Sequence, residues 1–161
     1  GADLLGTGPV TTVTLPLGVH IVTLTVTSAS GETDTDDVLV AVVDTTPPEM
    51  TFTLLTDTLW PPNGRMALVG EVRDVSDICD ANPAVSATVS SNEPIDGPGD
   101  PDWELAPNGD VWEIWLRAER YGAGSAREYT INVVVTDWSG NQTTESAIVT
   151  VPHDRGRRPR Q

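Results

Sequence analysis

Lysine is absent from this 161-residue chain, and cysteine occurs once, at Cys79. A lone cysteine excludes an internal disulfide. With His20 and His153 as the only histidines, it also excludes zinc and iron–sulfur centres, which draw on several thiolates and imidazoles together. Long apolar runs are missing too: no stretch of about 18 residues is apolar enough to cross a bilayer as a helix. The first residues lack the charged-then-apolar order of a signal peptide, so the chain reads as mature or trimmed. Positive charge is scarce, with 9 Arg against 24 acidic residues. Four of those arginines (Arg155, Arg157, Arg158 and Arg160) lie in the last seven residues, and removing them from the net −15 leaves −19 on residues 1–154. Such a body repels nucleic acid and anionic membranes and suits solubility or divalent cations. The tail, residues 155–161, reads as a basic disordered terminus.

What is present is alternation with a period of two. Val19, Ile21, Thr23 and Thr25 alternate with the more apolar set His20, Val22, Leu24 and Val26, which is expected to face a core. Thr and Val dominate because β-branched side chains suit a pleated surface. Proline and glycine recur too often for a capped helical stripe to form, so the chain is expected to be all-β.

A strand-turn-strand passage occurs twice. Residues 19–43 and 128–152 align at a constant offset of 109, which pairs Val26 with Val135, Thr27 with Thr136, Ser30 with Ser139 and Gly31 with Gly140. Strands are expected near 50–55, 65–74, 84–90, 102–107, 111–119, 127–136 and 143–151. That spacing, with Asn108-Gly109 and Ser139-Gly140-Asn141 as turns, predicts an immunoglobulin-like antiparallel β-sandwich over residues 49–154. The first copy has few residues before it, so residues 1–44 read as the back half of a second sandwich. It is expected to be three strands with one apolar face, which cannot shield a core alone. Residues 45–48 end in Pro47-Pro48 and read as a short, stiff, extended linker.

LPLGVHIVTLTVTSASGETDTDDVLVAVVDTTPP is similar to the closing half of the polycystic-kidney-disease-type and hyalin-type repeats of bacterial surface proteins. Residues 49–152 resemble a bacterial immunoglobulin-like domain, through LWPPNGRM, DICDANP, SNEP, GPGDPDW, LRAER, DWSGN and VPHD. The resemblance implies extracellular, modular, non-catalytic units of tandem-repeat adhesins, stalks or filaments, or accessory regions of secreted hydrolases. Two departures stand out. The cysteine pair usual in hyalin-type repeats is absent, and Ile78 stands where the related DNCDPNP loop has Asn, which removes one potential oxygen ligand.

Following the strands alternately up and down sorts the acidic residues between two poles. Glu93, Asp96, Asp100, Asp102 and Glu119 gather at one, on glycine-rich backbone able to turn carbonyls inward, and form a candidate Ca²⁺ site. Asp44, Asp74, Asp77, Asp80 and Asp137 gather at the other as a second, weaker candidate. The same residues also serve as turn caps. Catalysis is not expected: His153-Asp154 follows the last strand with no nucleophile beside it. Trp103, Trp112 and Trp115 are candidate stacking residues for a glycan, although Trp112 and Trp115 are separated by an odd number of residues and must face opposite sides.

The reading that follows is a structural or adhesive extracellular or cell-surface module, completed over residues 1–44 by adjacent immunoglobulin-like domains or identical subunits. The alternative is a carbohydrate- or protein-binding accessory module of a secreted enzyme. Whether the chain is a piece of a longer protein or a filament subunit stays open at this level.

Overall fold

The computed structural model describes residues 3–95, 101–122 and 125–153. The chain divides into two compact units, Gly1–Thr45 and Thr46–Gln161.

The first unit holds β1 (Gly18–Thr27) and β2 (Thr33–Val42), paired antiparallel from Gly18↔Val42 to Thr27↔Thr33. These are its only strands among the described residues, so the expected third strand is corrected to irregular backbone over residues 3–17. Pro9 and Pro16 remove two amide hydrogens from that segment, and Gly8 turns it at φ +107°, which suits no ladder. Of the side chains expected to face a core, Leu24 and Val26 are solvent-exposed, at 62% and 54%, while His20 and Val22 are half-buried.

The second unit is a two-sheet sandwich. Its strands are β3 (Glu49–Leu54), β4 (Met66–Ser76), β5 (Ala84–Ser91), β6 (Trp103–Asn108), β7 (Val111–Arg117), β8 (Arg127–Thr136) and β9 (Gln142–Val151). One sheet runs β3-β4-β7-β6 and the other β5-β8-β9, all antiparallel, which is the strand order of an immunoglobulin-like sandwich. Alternation fixes the inner faces. Tyr129, Ile131, Val133 and Val135 of β8, with Val149 and Val151 of β9, are fully buried, and the opposite sheet supplies Val69, Val72, Ile114 and Leu116. At about 25 cal/mol per Å² of buried apolar surface, this shared layer is the main source of the unit's stability.

Two local features shape the sheets. The β4–β7 register shifts between Leu68 and Gly70, and a Cβ at Gly70 would sit 3.0 Å from the Phe52 ring, so glycine is what lets β3 close on β4. Past β3, the chain runs parallel to β9 at Thr58↔Thr150, where the Leu59 amide donates to Thr150 O (2.9 Å) and the Thr150 amide to Asp57 O (2.8 Å).

The duplication extends to hydrogen-bonded detail. Each of the ten β1–β2 pairs has its counterpart in β8–β9 at the same offset, from Gly18↔Val42 matching Arg127↔Val151 to Thr27↔Thr33 matching Thr136↔Gln142. The turns match as well. Ser28 N donates to Glu32 O and Gly31 N to Ser28 O, as Asp137 N does to Asn141 O and Gly140 N to Asp137 O.

Candidate functional site

The polar residues of the second unit collect at its two ends, in the loops that join the sheets. At the end where β8 begins, the organising residue is Arg127, which the charge-cluster reading overlooked. Its signal was available: Arg127 is in phase with Tyr129, Ile131 and Val133, so period two places it on the inner face. It is 2% exposed, and its guanidinium donates to Asp102 Oδ2 (2.7 Å), Pro94 O (2.9 Å), Ser91 Oγ (3.1 Å) and Glu119 Oε1 (3.4 Å). Glu93 Oε2 lies 3.9 Å from its Nε, and the cation sits 4.4 Å above the Tyr129 ring.

Neighbouring residues close this end. Arg117 donates to Gly64 O and Pro101 O, with Asp102 Oδ1 at 3.9 Å from its Nε. The Tyr129 hydroxyl donates to Arg117 O (3.0 Å), the corner tie of immunoglobulin-like sandwiches. Tyr121 N donates to Glu93 Oε2 (2.9 Å) and Arg120 to His153 O (3.1 Å). An open cleft of about 250 Å³ remains, lined by Glu93, Pro94, Glu119, Arg120, Tyr121 and Arg127.

Protonation follows this crowding. Burial, and then the Asp102 carboxylate beside it, hold the Glu119 carboxyl above its ordinary range against the pull of Arg117 and Arg127. Burial likewise pushes the Tyr129 phenol up, although Arg127 opposes it. For Arg127, burial works against the charge, but Asp102, Tyr129 and Glu119 together hold the guanidinium firmly protonated.

Of the first candidate calcium ligands, the structure brings together Glu93, Asp102 and Glu119, while Asp96 and Asp100 lie outside the described residues. The three described carboxylates converge on the single positive charge of the Arg127 guanidinium. A divalent cation placed among them would face that fixed positive charge at contact distance.

At the opposite end, the acidic residues act as turn caps. Asp77 Oδ1 accepts the amides of Cys79 and Asp80 (2.7 Å each). Asp80 accepts Asn82 N on Oδ1 (2.8 Å) and Trp138 N on Oδ2 (3.0 Å), which ties the β4–β5 loop to the β8–β9 turn. Asp137 accepts the amide and the side-chain Nδ2 of Asn141 (2.8 Å each). Burial raises the Asp137 carboxyl, but the hydrogen bonds from Asn141 and from the Gly140 and Ser139 amides outweigh it and hold the group below its usual range. Asp74 is exposed, at φ +54°. Asp77 Oδ2 is buried with no hydrogen-bond partner among the described residues. Asp44 belongs to the first unit.

The tryptophans divide by register. Trp103 pairs with Leu116, so Trp103, Leu116, Ile114 and Trp112 share a face, and both tryptophans pack against the core. Trp115 pairs with Glu104 on the outer face and donates to Glu113 Oε2 (3.1 Å). The edge of Trp112 also borders an open groove of about 540 Å³, beside Arg73, Asp74, Asn82 and Asp110.

No protein-family model matches this chain, and no curated protein matches it. Among solved structures it is similar to the extracellular cadherin domains 1–4 of protocadherin gamma B7, at 14% identity and a TM-score of 0.40, over 83% of this chain and 32% of that one. It is also similar to extracellular cadherin domains 3–6 of protocadherin gamma B2, at 12% identity and a TM-score of 0.38, over 82% and 30% respectively. The chain thus spans about a third of the length of either. The immunoglobulin-like fold rests on the chain's own strand order.

Proposed function

We propose that this chain is a non-catalytic structural or adhesive module of an extracellular surface protein, stalk or fibre, built from sandwich units in series. The observation that carries the reading is the duplicated hairpin: one ten-pair ladder, with the same turn, recurs in both units at one offset. Repetition of a sandwich unit along a chain produces length and spacing, and a short proline-containing linker at residues 45–48 sets that spacing. In this reading residues 1–44 are the closing half of a polycystic-kidney-disease-like repeat, completed by a neighbouring domain or chain. Calcium stiffening of the module rests on the Asp77, Asp80 and Asp137 end, where Asp77 Oδ2 is buried with no hydrogen-bond partner among the described residues.

The polar chemistry supports a mechanical role. Arg127 and the Asp80 and Asp137 caps bind loops to one another, where an enzyme would present reactive groups to a ligand. Tension along the chain loads Asp57 and Leu59 against Thr150 in a parallel arrangement. Their hydrogen bonds must then shear together instead of opening one at a time. Pulling the second unit between its two ends in a single-molecule force experiment tests this. We expect one cooperative rupture, lowered when Leu59→Pro removes the bond to Thr150. Extension without a force peak would overturn the mechanical reading.

The groove beside Trp112 favours one second reading, a glycan- or protein-binding accessory module. Its distinguishing result is ligand binding that Asp110→Ala or Asn82→Ala abolishes while the rupture force is unchanged.

A further inference from the structure

Asn-Gly occurs twice in the second unit, at Asn63-Gly64 and Asn108-Gly109, and the fold holds the two pairs differently. In such a pair the glycine amide nitrogen can attack the asparagine side chain, because glycine has no Cβ to obstruct the approach. Within a folded chain, the outcome depends on whether that nitrogen and that side chain are free to meet.

Asn63-Gly64 is tied on both sides of its peptide. Asn63 Oδ1 accepts the Arg65 amide (3.1 Å), the Gly64 amide donates to Ala118 O (2.9 Å), and Arg117 Nη1 donates to Gly64 O (2.9 Å). The attacking nitrogen is thus engaged, and its target is fixed in a local side-chain-to-backbone turn.

Asn108-Gly109 stands open. Asn108 ends the β6–β7 ladder opposite Val111, and Gly109-Asp110 form the two-residue turn, with Gly109 at φ +62°. Asn108, Gly109 and Asp110 are all exposed, and nothing lies within 4 Å of where a Cβ on Gly109 would stand. Among the described residues, the Gly109 amide donates to no backbone carbonyl. The Asn108 side chain is tethered through its nitrogen: Nδ2 donates to Glu113 Oε1 (2.7 Å), a carboxylate that also accepts Trp115 Nε1 (3.1 Å).

We propose that Asn108 is a spontaneous modification site of the folded chain, with water as the co-reactant, and that Asn63 is spared. The Gly109 nitrogen gives its proton to base and forms a bond to Asn108 Cγ. The Cγ–Nδ2 bond then breaks, and Nδ2 leaves as ammonia after taking a proton from water. A second water opens the cyclic imide at one of its two carbonyls. The product is aspartate, or an isoaspartate whose main chain runs through Cγ. An amide and water become a carboxylate and ammonium, and nothing is oxidised or reduced.

The consequence is local. Either product places a carboxylate where Nδ2 donated to Glu113, so a hydrogen bond becomes a like-charge contact with Asp110 close by. Isoaspartate also lengthens the backbone by one carbon at the last pair of the ladder. Among the described residues β6 is the end strand of its sheet, paired with β7 alone, so this pair is what pins it at the turn. Gly109, Asp110 and Val111 also line the groove beside Trp112, so ageing at Asn108 loosens one wall of that groove.

The test incubates the full chain in mildly alkaline buffer, folded or unfolded in urea. Peptide mapping by mass spectrometry then reads the exchange of amide nitrogen for oxygen at each asparagine. Asn63 must break more hydrogen bonds than Asn108 to react, so in the folded chain it should convert roughly tenfold or more slowly than Asn108. In urea the two rates should converge. Glu113→Ala frees the Asn108 side chain and should speed its conversion in the folded chain. The aged chain should elute later from an anion exchanger and show faster amide exchange over residues 103–108. Equal folded-state rates at Asn63 and Asn108, conversion of Asn108 in urea alone, or slower conversion of Asn108 in Glu113→Ala would each overturn the proposal. Unchanged exchange over residues 103–108 in the aged chain would overturn the unpinning of β6.

Discussion

Arg127 Nη2 lies 2.7 Å from Asp102 Oδ2, and the two side chains are almost fully excluded from solvent, at 3% and 0% exposure. A buried pair of this kind gains little over an apolar pair, because desolvation offsets most of the Coulomb attraction. Breaking it is another matter. Arg127→Met leaves Asp102 charged and buried, and we expect a loss of about 3–5 kcal/mol in denaturant unfolding. Adding Asp102→Leu should restore much of that stability. A double variant no better than the single one would show that Arg127 acts through Ser91 and Pro94 instead of through the ion pair.

Two carboxyls give the unfolding free energy opposite slopes with pH. Glu119 is raised in the folded state above its ordinary value of 4.5, so its contribution is complete below that value and is lost as pH rises through the folded pKa. Asp137 is lowered below its ordinary 3.8, so its contribution is present above that value and is lost as pH falls through the folded pKa. Glu119→Gln should therefore flatten the fall on the alkaline side, and Asp137→Asn should flatten the fall on the acid side. Chemical denaturation at a series of pH values reads both, and an unchanged profile in either variant removes that group from the balance.

Gly31 and Gly140 sit at φ +89° and +90° in matching turns. Alanine at either position meets no steric neighbour but must adopt a left-handed backbone, at a cost of about 1 kcal/mol. The sites should differ in what they report. Gly140→Ala lowers the melting temperature of the second unit, whereas Gly31→Ala speeds amide exchange over residues 18–42 and leaves the second unit's melt in place.

The duplicated turn also shows why so much of the fold could be read without coordinates. Alternation in EYTINVVV, a Gly that tolerates positive φ, and Asn108-Gly109 between two strands are local signals, and each fixes a strand or a turn where it stands. Side-chain partnerships are not local. The acidic residues near Arg127 resemble a cation site when counted along the chain, but Asp102 and Glu119 turn toward an arginine whose inward phase places it among them. The third strand expected in the first unit failed because Pro9 and Pro16 lie within its span.

Calcium binding at the Asp77 end has a thermodynamic signature. An ion held only by the folded chain stabilises it by about 2.7 kcal/mol at one hundred times its Kd, which corresponds to a shift of several degrees in melting temperature. Calcium should raise the melt of the second unit, chelator should return it, and Asp77→Asn should abolish the difference. A melt insensitive to both would assign Asp77, Asp80 and Asp137 to turn capping alone.

The tryptophans separate the structural reading from the glycan-binding one. Trp112 and Trp103 share the inner face with Ile114 and Leu116, whereas Trp115 lies outside, donating to Glu113. Truncating a tryptophan packed on a core removes buried ring surface and leaves a cavity. Trp112→Ala should thus cost about 2–4 kcal/mol, slightly below the fully buried range because its edge borders the groove. Trp115→Ala should cost well under half of that. A glycan platform requires the reverse emphasis: a ring can stack on a sugar only where it is accessible, so binding on a glycan array would depend on Trp115 or on the exposed edge of Trp112. Array binding lost in Trp115→Ala with stability unchanged would move the function of this face from packing to recognition. Large destabilisation in Trp112→Ala and an empty array would leave its aromatic side chains as part of the sandwich that holds the module together under load.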